Sequence, residues 1–223
     1  PDVTHTSRFA PLTPQQSKYY KDLKKEMLIE AVGDEVSAVN AAAQLNKLLQ
    51  ISCGAVYTDT KNVIEFDASS RLNILLEVIE EASHKVLVFV PFTHALNLVQ
   101  DFLRKNKVTS EIINGSVSVS KRTDIFKRFQ EQDEPRVLLI QPQAAAHGVT
   151  LTAANVIVWY APVTSIETYL QANARIDRPG QRNPMTIVHL EGSPVETKLY
   201  SMLQNKLDFH NKIIDLYKNE INS

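Results

Sequence analysis

The stretch VLLIQPQAAAHGVTLTAANVIVWY, residues 137–160, holds two short apolar runs, Val137–Ile140 and Val156–Tyr160. Each is rich in branched residues and bounded by small or polar ones, so each reads as a strand buried on both faces. Working outward, Val86–Val90 and Thr186–Leu190 repeat the pattern, and Glu111–Ile113 is a weaker version. Segments with helical spacing lie between them. Strand alternating with helix is the pattern of a parallel sheet covered by helices on both faces. Ligands of such sheets sit at the carboxyl ends of the strands, which directs attention to the loops after Val90, Ile140 and Tyr160. The small residues Ala144–Ala146 and Gly148 allow either close approach of backbone to a ligand or tight helix packing; composition leaves both readings open.

Composition sets the bounds. The chain has 223 residues, is 43% hydrophobic and carries a formal net charge of −1. That is room for one α/β domain plus an accessory segment. No apolar run is long enough to span a bilayer and no signal peptide opens the chain. Cys53 is the single cysteine, which excludes an intrachain disulfide and points to a reducing compartment. The six histidines lack metal-ligand spacing. Near-neutral charge argues against strong non-specific nucleic-acid binding while leaving room for a local basic groove.

Residues 1–13 read as a tail or connector. Thr13 followed by Pro14 predicts a helix start, and the helix runs through Tyr19, Leu23 and Met27 until Gly33 and Asp34 break it. A second helix carries Val39, Ala42, Leu45, Leu48 and Leu49, and Gly54–Asp67 reads as a small hairpin. The division expected is a helical arm and connector over residues 1–67, then an α/β domain over residues 68–223. Within the latter, helices are expected over His94–Lys105 and Ser118–Gln130, and a long closing helix over Pro194–Asn219. The helix at Ser118–Gln130 carries Lys121, Arg122, Lys127 and Arg128, charges that either solvate a face or touch nucleic-acid phosphates.

QANARIDRPGQ, residues 171–181, places Arg175 and Arg178 three apart at the end of a helix-like run stopped by Pro179 and Gly180. Three residues is nearly one turn, so both guanidinium groups emerge side by side. Their planar, permanently charged forks suit phosphate, although two arginines in a solvated last turn have the same spacing. A phosphate-binding P-loop, G-x-x-x-x-G-K-[ST], is absent. In GSVSVSKR, residues 115–122, Ser120 stands where the second glycine is needed, and Asp133-Glu134-Pro135 precedes a strand, whereas a magnesium-binding acid follows one.

In order, KVLVFVPFT (85–93), INGSVS (113–118), KRTDIFKRFQ (121–130), the 137–160 stretch and YLQANARIDRPGQ (169–181) resemble the carboxyl-terminal lobe of superfamily-two helicases, within it the Swi/Snf family. LTPQQSKYYKDL (12–23) and LNKLLQISCG (45–54) resemble the segments that join the two lobes. The resemblance implies a RecA-like parallel sheet with helices on both faces, preceded by a helical arm. It implies Arg175 and Arg178 as arginine fingers, with Gly148, Gln171, Gly180 and Gln181 along the ATP cleft. It implies Phe92, Thr93, Asn114, Gly115, Ser116, Thr150 and Thr152 as nucleic-acid contacts. ATP and Mg²⁺ would be bound mainly by an N-terminal RecA-like lobe of the same protein, leaving this half inactive by itself. DNA, duplex or single-stranded, would be the track, with no membrane involved. Gln143–His147 and Pro91 depart from the usual Swi/Snf motifs in a way similar to the branch carried by phages and prophages, which implies the cytoplasm of a bacterial or phage-infected cell. Two other readings stand beside this one. The first is a DNA- or protein-binding module without catalysis. The second is an unrelated α/β enzyme such as a methyltransferase, which needs a glycine-rich turn where Pro91-Phe92-Thr93 stands.

Overall fold

The computed structural model of the protein describes residues 1–32, 37–58, 60–145, 148–207 and 209–223. The expected break at Gly33 and Asp34, and the departures at Ala146 and His147, lie outside them. In chain order the elements are β1 (Val3–Phe9), α1 (Pro14–Ala31), α2 (Ala38–Cys53), β2 (Ala55–Tyr57), β3 (Val63–Glu65), α3 (Ser69–Glu81), β4 (Lys85–Phe89) and α4 (Thr93–Lys105). They continue with β5 (Ser110–Ile113), α5 (Val119–Glu131), β6 (Val137–Ile140), a short 3-10 turn (Pro142–Ala145), β7 (Ala154–Trp159), α6 (Ile166–Asn173), β8 (Met185–Glu191), α7 (Pro194–Gln204) and α8 (Phe209–Ile221).

Six strands form one sheet in the order β1-β8-β7-β4-β6-β5, and every pairing is parallel. The alternation of side chains along each strand builds two cores. Leu87, Phe89, Leu138, Ile140, Ile157 and Trp159 face a cluster completed by α1, α2, α5, α6, α7 and α8. Val86, Val88, Val90, Val137, Leu139 and Val158 face α3 and α4. This is the parallel sheet covered by helices on both faces that the apolar runs predict, and the RecA-like arrangement that the resemblance implies. Thr13 caps α1 with the expected geometry: its side chain accepts from the Gln16 backbone while the Gln16 side chain returns the bond. The hairpin is present as the antiparallel pair β2–β3.

Three expectations are corrected. Residues 1–13 are not a tail, because Val3–Phe9 pairs in parallel with β8 and closes one edge of the main sheet. All of β1 but Arg8 is exposed, so the strand has no apolar face for periodicity to detect. The closing helix is two helices, parted at Asn205 and Lys206, where Lys206 takes a left-handed conformation (φ 53°). The helix before the arginines ends at Asn173, earlier than Pro179 and Gly180 imply.

The two layers are clasped after the ends of β7 and β8. Arg71 from the first turn of α3 meets Glu196 from the first turn of α7 through two hydrogen bonds of 2.6 Å, with both side chains almost wholly buried. Arg71 also donates to the Tyr160 carbonyl at 2.9 Å, and Glu196 accepts from Ser193 Oγ and the Gly192 amide.

Candidate functional site

Both arginines stand just beyond α6, in the turns that lead to β8. The carbonyls at a helix end lack intrahelical donors, and here the arginines supply them. Arg175 Nε donates to the Gln171 carbonyl at 2.8 Å, and Arg178 Nε donates to the Ala174 carbonyl at 3.0 Å. Each guanidinium is therefore fixed at its base. Arg175 is 3% exposed. Its Nη1 reaches the Val149 carbonyl at 3.4 Å, and its own carbonyl accepts from the Leu151 amide at 2.9 Å. Burial first, and the charge of Arg178 second, push the Arg175 guanidinium below its ordinary pKa. It stays charged, because an arginine has many pH units to spare. Arg178 is half-buried, and among the described residues nothing hydrogen-bonds its two terminal nitrogens.

The remaining cleft residues divide. Gly148 is exposed and left-handed (φ 73°), and a Cβ built there would lie 3.8 Å from Arg175 Nη1, so its backbone runs beside the guanidinium. Gln171 is half-buried, with its side chain turned back to Glu167 at 3.2 Å. Gly180 is exposed with φ 102°, the backbone a non-glycine residue resists, and it turns the chain after Pro179. Gln181 is not on an open wall. Its side chain points inward and donates to the Ala154 and Ile176 carbonyls at 2.9 and 3.1 Å. It braces the arginine turn against the start of β7.

The nucleic-acid candidates fall into two groups. Phe92 and Thr93 follow β4, and Asn114, Gly115 and Ser116 follow β5, so these five share the carboxyl end of the sheet. Phe92 packs against both cores while Thr93 is exposed. Asn114 Oδ1 accepts from the Ser116 amide at 3.0 Å, which closes the turn, and Gly115 is open to solvent. Thr150 is exposed between Gly148 and Leu151, on the arginine side. Thr152 precedes β7 and accepts from Gln130 at the end of α5, at the opposite end of the strands from Phe92. Of the basic residues on α5, Arg122 folds back onto the Val117 and Asn114 carbonyls, and Arg128 pairs with Asp124 and Glu111. Lys121 and Lys127 remain exposed.

Among the described residues no group of three or more His, Cys, Asp or Glu could hold a metal ion. Asp177 is the one carboxylate in the 171–181 run. The donor set near Arg175 thus suits a phosphate and does not suit Mg²⁺.

Residues 70–180 match the helicase conserved C-terminal domain. The chromatin-remodeling ATPase INO80 of Arabidopsis thaliana is 28% identical over 165 residues, 73% of this chain and 11% of the relative. The C-terminal part of the Fun30 ATPase domain superposes with a TM-score of 0.82 at 15% identity, covering 100% of this chain and 97% of that one. The Sulfolobus solfataricus SWI2/SNF2 ATPase core in complex with dsDNA gives 0.72 at 21% identity, over 99% of this chain and 47% of that one. By domain, residues 70–180 belong to the helicase C-terminal family, and the fold is the one seen in the solved C-terminal part of the Fun30 ATPase domain and in the SWI2/SNF2 ATPase core. The chain spans between about a tenth and just under half of the curated relatives it matches.

Proposed function

We propose that this chain is the C-terminal half of a two-lobed, DNA-dependent ATP hydrolase, a helicase or translocase, and that it is inactive without its N-terminal lobe. The observation that carries the reading is Arg178. Its base is fixed to Ala174 while its terminal nitrogens have no hydrogen-bond partner among the described residues, and Arg175 is locked beside it. A fork held in advance costs no reorganisation when negative charge grows nearby. ATP with Mg²⁺, held mainly by the N-terminal lobe, supplies the phosphoryl group whose transfer develops that charge. Arg178 offers the N–H groups of its two terminal nitrogens to it; Arg175, Gly148 and Gln171 shape the wall, and Gly180 and Gln181 set the turn. Phe92, Thr93, Asn114, Gly115 and Ser116 form one nucleic-acid surface, with Lys121 and Lys127 beside it. Thr150 and Thr152 belong to the arginine side and face DNA only where the two lobes meet. Residues 1–67 act as the inter-lobe arm, fastened to this lobe by β1 at the edge of the sheet. The phage or prophage branch, and with it a bacterial or phage-infected cytoplasm, rests on Gln143–His147 and Pro91. No helix among the described residues is long and apolar enough to cross a membrane.

Phosphate release tests this. The chain alone gives no sustained turnover, and the protein carrying a P-loop lobe upstream gives turnover stimulated by DNA. If that longer protein binds DNA or a partner and never hydrolyses ATP, the binding-module reading replaces this one.

Binding of a labelled duplex by the chain alone should be weak and should fall as salt rises, because phosphate contacts release counterions. Lys121→Ala with Lys127→Ala should flatten the log–log salt slope by about 2, near one per lost phosphate contact. Titration at several salt concentrations measures it, and an unchanged slope would remove α5 from the interface.

A further inference from the structure

Helix α6, which delivers the arginines, has only eight residues and buries only Tyr169 and Ala172. Two side chains are little apolar anchorage, and burial is non-directional, so it would leave the helix free to rotate or slide. Directional bonds supply what burial does not. Trp159 Nε1, at the end of β7, donates to Asn173 Oδ1 at 2.8 Å. Tyr169 lies one helical turn before Asn173 on the same helix. Tyr169 Oη in turn meets His189 Nε2 of β8 at 2.7 Å. His189 stacks on Tyr200 of α7, with ring centroids 4.2 Å apart and planes 7° from parallel, and Tyr200 Oη donates to the Trp159 carbonyl at 3.1 Å. Burial first, and nearby His5 second, hold the His189 pKa down to about 4, so at neutral pH the ring is uncharged and accepts from Tyr169.

This arrangement fixes α6 at two points, with Trp159 donating to Asn173 and Tyr169 donating to His189. It leaves a cost: His189 Nδ1 is buried without a partner. Apolar residues would fill the same space without that penalty. What the polar ring provides is a fixed rotation and height for α6, two residues before Arg175.

We propose that Asn173 and Tyr169, with Trp159 and His189 as their partners, are positioning residues that set the reach of Arg175 and Arg178 for hydrolysis. This rests on the two-lobed ATPase reading above, and the test separates the two. The protein used is the full two-lobed chain. Asn173→Leu keeps the branched shape and removes the hydrogen bond to Trp159, while Asn173→Asp keeps an acceptor for it. Misplacing a catalytic group by about 1 Å costs on the order of 100-fold, so Asn173→Leu should lower kcat by roughly 10- to 100-fold. The KM for ATP and the affinity for DNA should stay within about twofold, since the finger acts on charge present only in the transition state. Asn173→Asp should recover most of kcat. Tyr169→Phe, which loses one hydroxyl, covers the case in which Asn173→Leu does not fold, and should lower kcat several-fold with KM unchanged. Rates are read well below the melting temperature of each variant. An unchanged kcat in folded Asn173→Leu or Tyr169→Phe overturns the proposal, as does an Asn173→Asp variant as slow as Asn173→Leu. If Arg178→Ala itself leaves turnover intact, the ATPase reading has failed instead.

Discussion

Arg178→Ala in the two-lobed protein is expected to lower DNA-stimulated ATP hydrolysis by roughly 10³- to 10⁵-fold, the range that arginine fingers contribute elsewhere. Folding and DNA binding should be almost unchanged. The structural side of this is favourable: Arg178 gives the fold one hydrogen bond, to the Ala174 carbonyl, and its terminal nitrogens hold nothing among the described residues. Arg178→Lys should recover little, because an ammonium cannot reproduce the fork and has no Nε with which to fix its base. If the side chain served only to complement the helix end, its loss would cost a few tenths of a kcal/mol and turnover would persist. Steady-state hydrolysis decides between the two, with thermal melting as the control. Arg175 is a poorer probe, since its buried bonds to Gln171 and Val149 mean that its removal also loosens the turn.

Glu196→Ala should be the most destabilising single change in this lobe. It leaves the Arg71 guanidinium buried with only the Tyr160 carbonyl for company. Breaking a buried ion pair from one side costs about 3–5 kcal/mol, a large share of the roughly 5–15 kcal/mol that holds a domain together. For a domain of this size, melting should fall by roughly 6–20 °C. The pair itself need not be a net stabiliser. Arg71→Met combined with Glu196→Leu removes both charges and should recover much of the loss, because desolvation then no longer has to be offset. Melting curves of the chain and these two variants test it, and a Glu196→Ala protein that melts with the wild type would show the clasp to be idle.

How much of this was legible in the sequence depends on where each side chain ended up. The inner strands were readable because both their faces are buried, so Val86–Phe89 and Val137–Ile140 are apolar without interruption. β1 was not readable for the opposite reason: VTHTSRF alternates polar residues on an exposed edge, and it is a strand because β8 offers it a partner. The end of α6 was hidden because the arginines themselves satisfy its carbonyls, so no glycine marks the stop. The break after Gln204 carries neither proline nor glycine, and Lys206 takes the left-handed turn instead. The placement of Arg175 and Arg178 beyond a helix end, and of the turn at Asn114–Ser116 after a strand, was legible from Pro179-Gly180 and Asn114-Gly115. Gln181 was legible as a polar residue of the motif, but its inward bonds depend on Ala154, far off in sequence. His189 looked like one more position in a core strand, and nothing local ties it to Tyr169 or Asn173.

The pairing of β1 with β8 also fixes an order of events. Val3 lies against Met185, and Tyr20 of α1 bonds Glu220 of α8 across a separation of 200 residues. As the polypeptide leaves the ribosome, β1 has no strand partner until β8 has been made. β6 pairs with β4 and β5, and β7 with β4, so these four can assemble during synthesis as soon as β6 and β7 emerge. The edge made first is therefore the edge closed last, and until then its unpaired amides and carbonyls are open to other chains. Premature termination before Met185 would leave this lobe with a formed centre and a sticky border. Such truncated chains should aggregate through residues 3–9, an edge strand whose one partner, β8, they lack.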